Sequence, residues 1–146
     1  MTMFDPDSFL NTEITGANST SVPAIPEMEA LLVAKDVASR TSGDWVLLDI
    51  TWIVDEEEAR EVTGMKEPTV RQSVFLDITD SGGLDMSEGK NVQLGRVRKA
   101  LGQNDPEIAW FPSMIVGGTA RGKITQRPDK NDPERIYNAV NALVSA

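Results

Sequence analysis

Two absences limit the chemistry open to this chain: its 146 residues include no Cys and no His. Disulfide frameworks, thiolate zinc sites and cysteine nucleophiles are therefore excluded, as are a Ser-His-Asp triad and an HExxH metal site. What remains is carboxylates, Lys, a single Tyr and oxygen ligands for hard cations. Asp55-Glu56-Glu57-Glu58 offers oxygen ligands, but its spacing matches no calcium loop, so it reads as a solvated loop. Asp80, Asp85 and Glu88 around Gly82-Gly83 read as turn chemistry. Asp49 and Asp77 could serve as an acid and a base only if the fold brought them together, and no motif requires that. Gly117-Gly118 and Gly122 lack the lysine and following helix of a phosphate cradle. No catalytic residue, metal set or cofactor is expected.

Binding chemistry is better represented. Single-stranded nucleic acid is held by aromatic platforms that stack bases and by cations that follow the backbone. Trp45 and Phe75 fall on the polar faces of their segments, where they can stack bases or pack beneath a loop. Trp52 falls on an apolar face and belongs to the core, and Trp110-Phe111-Pro112 reads as a plug. Arg71, Arg121, Lys123 and Arg127 lie on extended segments or just past one; Arg121 and Lys123, two apart, share a face. With Arg71 nearby they would line a phosphate groove, or they would be ordinary surface cations paired with Asp49 or Asp77. Arg96, Arg98 and Lys99 read as solubilising.

Charge sharpens the choice of ligand. The net charge is −9, yet residues 1–67 hold 14 acidic groups against 4 basic, while residues 68–146 hold 9 against 10. Such acidity opposes tight, non-specific duplex binding and leaves room for a local groove. No segment has the roughly 20 apolar residues of a membrane span, and residues 1–11 lack the basic and apolar regions of a signal peptide. A soluble protein, or a soluble component of an assembly, is expected.

The elements that must position these groups follow from periodicity. Residues 1–26 are dense in breakers and read as an arm whose Phe4, Phe9 and Leu10 contact the domain or a neighbouring subunit; residues 27–146 form the domain. Residues 29–35 are an apolar run open to helix or strand, whereas 44–54 and 69–78 alternate as strands, with Gln72 interrupting the apolar side of the second. Residues 91–101 predict a helix with Asn91 as N-cap and Gly102 as its stop. Residues 113–126 predict a long strand bent at Gly117-Gly118 and Gly122. Residues 134–144 fit a helix through Ile136, Val140 and Leu143, or a closing strand.

Four phrases carry a resemblance. They are FDPDSFLNT at 4–12, VRQSVFLDI at 70–78, GGLD at 82–85 and LGRVRKALGQN at 94–104. The set resembles small phage-encoded proteins that are similar to phage single-stranded-DNA-binding proteins. The resemblance implies a mainly β fold, a five-stranded OB-like Greek-key barrel with one helix between strands 3 and 4, and it favours a strand over residues 135–143. It also implies a non-enzymatic accessory protein that binds single-stranded DNA through Arg71, Arg121, Lys123, Arg127, Trp45 and Phe75. Those proteins carry an acidic C-terminal tail, whereas the acidity here sits in the first half. The competing expectation is a virion structural protein, such as a capsid decoration or cement protein, whose arm reaches capsid subunits. Either role is compatible with a homo-oligomer.

Overall fold

The computed structural model describes residues 24–128 and 136–146, together with Asp7, Leu10 and Asn131. The chain is mainly β. Five antiparallel strands, β1 (Met28–Ser42), β2 (Trp45–Val54), β3 (Thr69–Leu76), β4 (Thr119–Pro128) and β5 (Ile136–Ser145), form one sheet in the order β3-β2-β1-β4-β5. Helix α1 (Glu57–Thr63) joins β2 to β3, while α2 (Val92–Ala100) falls between β3 and β4, as the element order predicts. The edge strands β3 and β5 approach within 8 Å, Cα to Cα. No ladder joins them among the described residues, so the sheet curls without closing into a barrel.

The curl originates in β1, which at 15 residues exceeds the usual strand length. Its first half pairs with β4, from Met28↔Ile124 to Val33↔Thr119, and its second half with β2, from Leu32↔Val54 to Ser42↔Trp45. The register slips between Ala34 and Asp36, leaving Lys35 as the extra residue of a bulge that bends the strand. At that point the Gly117 N–H donates to the Ala34 carbonyl (2.8 Å) and the Ala34 N–H to the Gly118 carbonyl (2.9 Å). The bulge thus divides one sheet into a β1–β2–β3 half and a β1–β4–β5 half.

The inner face is apolar. Leu32, Ile50, Trp52, Val54, Val74 and Ile124 are fully buried and pack with Leu94 and Val97 of α2. Gln72, which breaks the apolar pattern of β3, accepts the indole N–H of Trp52 at 2.9 Å, so both polar groups are satisfied at the core's edge. Ile25, within the expected arm, also belongs to this core, its N–H donating to Asn138 Oδ1 at 3.1 Å and its carbonyl accepting from Gln126.

Four expectations need correction. The acidic run is no loop: Glu57 and Glu58 form the first turn of α1, where negative charge complements the exposed N–H groups, and Arg60 pairs with Asp55 and Glu57. The segment after Pro112 is not strand from residue 113: a 3₁₀ turn (Pro112–Ile115) precedes β4, and Gly117 takes a left-handed φ of 85°. Asn91 occupies the N-cap position of α2 without capping it; its side chain instead ties the preceding loop to Asp77 and Asp85. Arg98 is not merely solubilising, since its guanidinium lies 4.3 Å from the Trp110 ring centroid and its Nε donates to the Gln103 carbonyl. The segment left open between helix and strand is β5, bulged near Ala142, which has a φ of 52°.

Candidate nucleic-acid interface

Alternation along β2 sends Leu48, Ile50, Trp52 and Val54 into the core, and Trp45, Leu47, Asp49 and Thr51 to the outer face. Pairing then fixes their neighbours: Leu47 lies opposite Arg40 and Phe75, Asp49 opposite Ala38 and Ser73, and Thr51 opposite Arg71. Trp45 directly follows the two-residue turn Gly43-Asp44, with Gly43 at φ 59° in the first central position, where a type II′ hairpin requires it. The turn holds Trp45 beside Phe75, their ring centroids 5.5 Å apart and their planes at 76°. These two rings remain 63% and 51% exposed. Leu47, by contrast, is only 4% exposed although it faces outward. It floors a shallow depression of about 520 Å³ lined by Arg40, Ser42, Trp45 and Phe75.

Beside this depression lies a buried charge. Asp49 is 6% exposed and accepts three hydrogen bonds. Ser73 Oγ donates to its Oδ1 at 2.6 Å, Arg40 Nε donates to Oδ2 at 2.6 Å, and Arg71 Nη2 donates to the same Oδ2. Burial alone would push this carboxyl upward; the bonds from Ser73, Arg71 and Arg40 outweigh it and hold the group below the usual carboxylate range. Both arginine side chains stay substantially exposed, at 43% and 60%, so each presents guanidinium N–H groups outward from a fixed position. Arg71 is thus paired with Asp49, one of the two partners its sequence context offers, while retaining an accessible edge.

The remaining cations lie on the other half of the sheet. Arg121 and Lys123 alternate with buried Ala120, Gly122 and Ile124, so they do share the outer face of β4. Glu29 stands opposite Lys123, and Leu31 opposite Arg121. Arg127 sits opposite Tyr137, with its Nη2 donating to Asn141 Oδ1 at 3.1 Å. Between Arg71 on β3 and Arg121 on β4 lie three strand steps of about 4.8 Å each, and the bulge of β1 besides. The structure brings Trp45, Phe75 and Arg71 onto one half, and sets Arg121, Lys123 and Arg127 apart on the other.

Arg40 has no signal in the sequence that would place it at the site. The apolar run at 29–35 gave no sign that β1 continues to Ser42, yet the later residues Ala38, Arg40 and Ser42 all fall on the outer face of the hairpin. Asp49 and Asp77 do not form an acid–base pair: the first is held by two arginines, and Asp77 Oδ2 accepts the Asn91 N–H at 2.8 Å. Trp110 is half-buried, its indole N–H bonded to Gln103 Oε1 at 2.9 Å, while Phe111 is exposed. Among the described residues no three or more Asp or Glu are grouped to hold a metal ion, and no helix is long and apolar enough to cross a membrane. Of the arm residues, Leu10 is exposed; Phe4 and Phe9 lie outside the described residues. Scanning against family models and searching curated proteins for relatives find no match to the chain.

Proposed function

We propose that this chain is a non-enzymatic accessory protein of phage type that binds single-stranded DNA on the outer face of β2 and β3, using an OB-like barrel left open between β3 and β5. Two features support the fold assignment. The strand order β3-β2-β1-β4-β5 and the helix between β3 and β4 fit the OB arrangement, in which the face of strands 2 and 3 takes oligonucleotides. The observation that carries the functional reading is the exposed Trp45–Phe75 pair on that face, flanked by Arg40 and Arg71. Each base stacked on such a ring contributes about 1–3 kcal/mol.

The electrostatics set the mode of binding. Two arginines share one carboxylate, so the half-sheet offers little surplus positive charge to phosphate. Affinity then rests on stacking, and its salt dependence is shallow because few phosphates are contacted, each adding only about 0.7 to the slope of log affinity against log salt for a single strand. Arg121, Lys123, Arg127 and Tyr137 form a second strip that only a longer strand reaches. The test is fluorescence anisotropy with labelled oligo-dT. Replacing Trp45 and Phe75 together with Ala removes binding, while reversing Arg121 and Lys123 to Glu weakens a long oligomer and spares one of about five nucleotides. Undiminished binding by the Trp45→Ala/Phe75→Ala variant overturns the assignment.

The capsid-component reading draws on another observation, the exposed Ile108, Phe111, Met114 and Val116 of the connection before β4. Mass spectrometry of purified particles separates the two, since a coat component is present in many copies.

A further inference from the structure

We infer that the depression over Leu47 is a single-base pocket selective for guanine, with Arg40 as its specificity-determining residue; the inference rests on the single-strand reading above. Three properties of the depression lead there. Its floor is the apolar Leu47, and one wall is the Trp45–Phe75 pair, so it favours a flat ring over a sugar or a phosphate. Its volume, about 520 Å³, lies within the range of roughly 300–1,000 Å³ common to small-ligand sites. The remaining lining is Ser42 and Arg40, and this arginine is not free to swing.

Arg40 is anchored through its Nε at 2.6 Å from Asp49 Oδ2, and that carboxylate is itself fixed by Ser73 and Arg71. Anchoring at Nε occupies the side-on edge of the guanidinium and leaves its end-on edge, one N–H from each terminal nitrogen, directed elsewhere than Asp49, and the side chain is 43% exposed. A guanidinium presented this way is a rigid, planar, two-pronged donor with no acceptor capacity. A base lying over Leu47 against Trp45 meets it edge-on, so the matching base carries two adjacent acceptors on one edge. Guanine supplies them as O6 and N7, the usual bidentate partner of arginine. Adenine presents a donor beside N7, which opposes the fork, and the thymine O4 edge carries one acceptor beside a methyl group. Cytosine also has paired acceptors, O2 and N3, but its single ring covers less of Trp45 than a purine does. Asp49 is the positioning residue: it touches no base, and it sets the direction of the fork.

The experiment compares oligo-dT with the same oligomer carrying one central deoxyguanosine, one deoxyadenosine or one deoxycytidine, by anisotropy at fixed salt. The deoxyguanosine oligomer binds roughly 5- to 150-fold more tightly, the discrimination expected of one bidentate base contact. Replacing that base with 7-deazaguanine, which removes the N7 acceptor, abolishes most of the preference without altering the protein. Arg40→Lys retains a positive charge but lacks the fork, and it brings the guanine-to-thymine affinity ratio close to one. Circular dichroism melting confirms that this variant is folded. Equal binding of all four oligomers, a preference for another base, or a guanine preference that survives Arg40→Lys overturns the pocket while leaving the stacking surface standing. Absence of binding to every oligomer overturns the stacking surface itself.

Discussion

Substituting Asp49 by Asn tests the electrostatic centre of the outer face while preserving its shape. The wild-type carboxylate receives one hydroxyl and two guanidinium hydrogen bonds at a site only 6% exposed. A hydrogen bond to a charged group contributes about 1.5–3 kcal/mol, and a neutral one about 1. Against that loss, Arg40 and Arg71 are largely exposed and regain hydration when the charge is removed, and the Asn oxygen still accepts one bond. The expected destabilisation at neutral pH is therefore about 2–3 kcal/mol, or a melting temperature lower by roughly 6–12 °C for a domain of this size. The sign of the pH dependence follows from the depressed pKa of Asp49. A carboxyl bound more tightly as its anion in the folded state stabilises above its unfolded pKa of about 3.9, and that stabilisation is lost as pH falls through the lower folded value. Urea unfolding of both proteins at several pH values should give curves that are far apart near neutrality and converge in acid. A difference that stays constant with pH, or no difference at pH 7, would refute the assignment of the Asp49 charge as the anchor.

Two further substitutions probe the core beneath the face, each read by urea unfolding. Gly122→Ala places a methyl group 3.0 Å from Leu32 Cδ1 and Val140 Cγ1 and 3.2 Å from Leu143 Cδ2, and overpacking of this kind should destabilise by about 1–3 kcal/mol; a neutral result would mean that β5 yields freely there. Trp52→Phe removes the indole donor to Gln72 and part of a fully buried ring, with an expected loss of about 2–4 kcal/mol, and adding Gln72→Leu should recover part of it because no orphaned acceptor remains.

The strands legible in the sequence were those whose alternation needs no help from elsewhere. Residues 44–54 and 69–78 became β2 and β3 because one face of each is buried along its length. The spacing of Leu94 and Val97 likewise identified the buried side of α2. The segment at 134–144 stays open between helix and strand because Val140 and Leu143, three apart, share the core, the spacing of a helix. In a regular strand they would face opposite ways. The bulge near Ala142 inserts the extra residue that returns Leu143 to the same side, and no local pattern announces it. Residues 55–58 misled for a related reason: α1 buries little beyond Ala59, so it has almost no apolar stripe to detect, and its charge at the first turn is the main local signal.

The candidate site divides along the same line. That Trp45 and Phe75 face outward followed from parity, and parity also placed Arg121 beside Lys123. Parity says nothing about which strands adjoin, and adjacency decides whether separate cations form one groove. Here β1 serves two partners in succession and bends between them at Lys35, so Arg71 and Arg121 share a sheet face without sharing a site. The β1 bend also determines what can bind. With the β4 cations displaced and both Arg40 and Arg71 paired to one buried carboxylate, the outer face near the rings carries little unpaired positive charge from these residues. On the proposed reading, a ligand there would be held by its flat faces and polar edges. On the single-strand reading proposed above, such a surface would discriminate against duplex DNA, whose bases are stacked on one another and whose outer surface is phosphate, in favour of strands whose bases are already free.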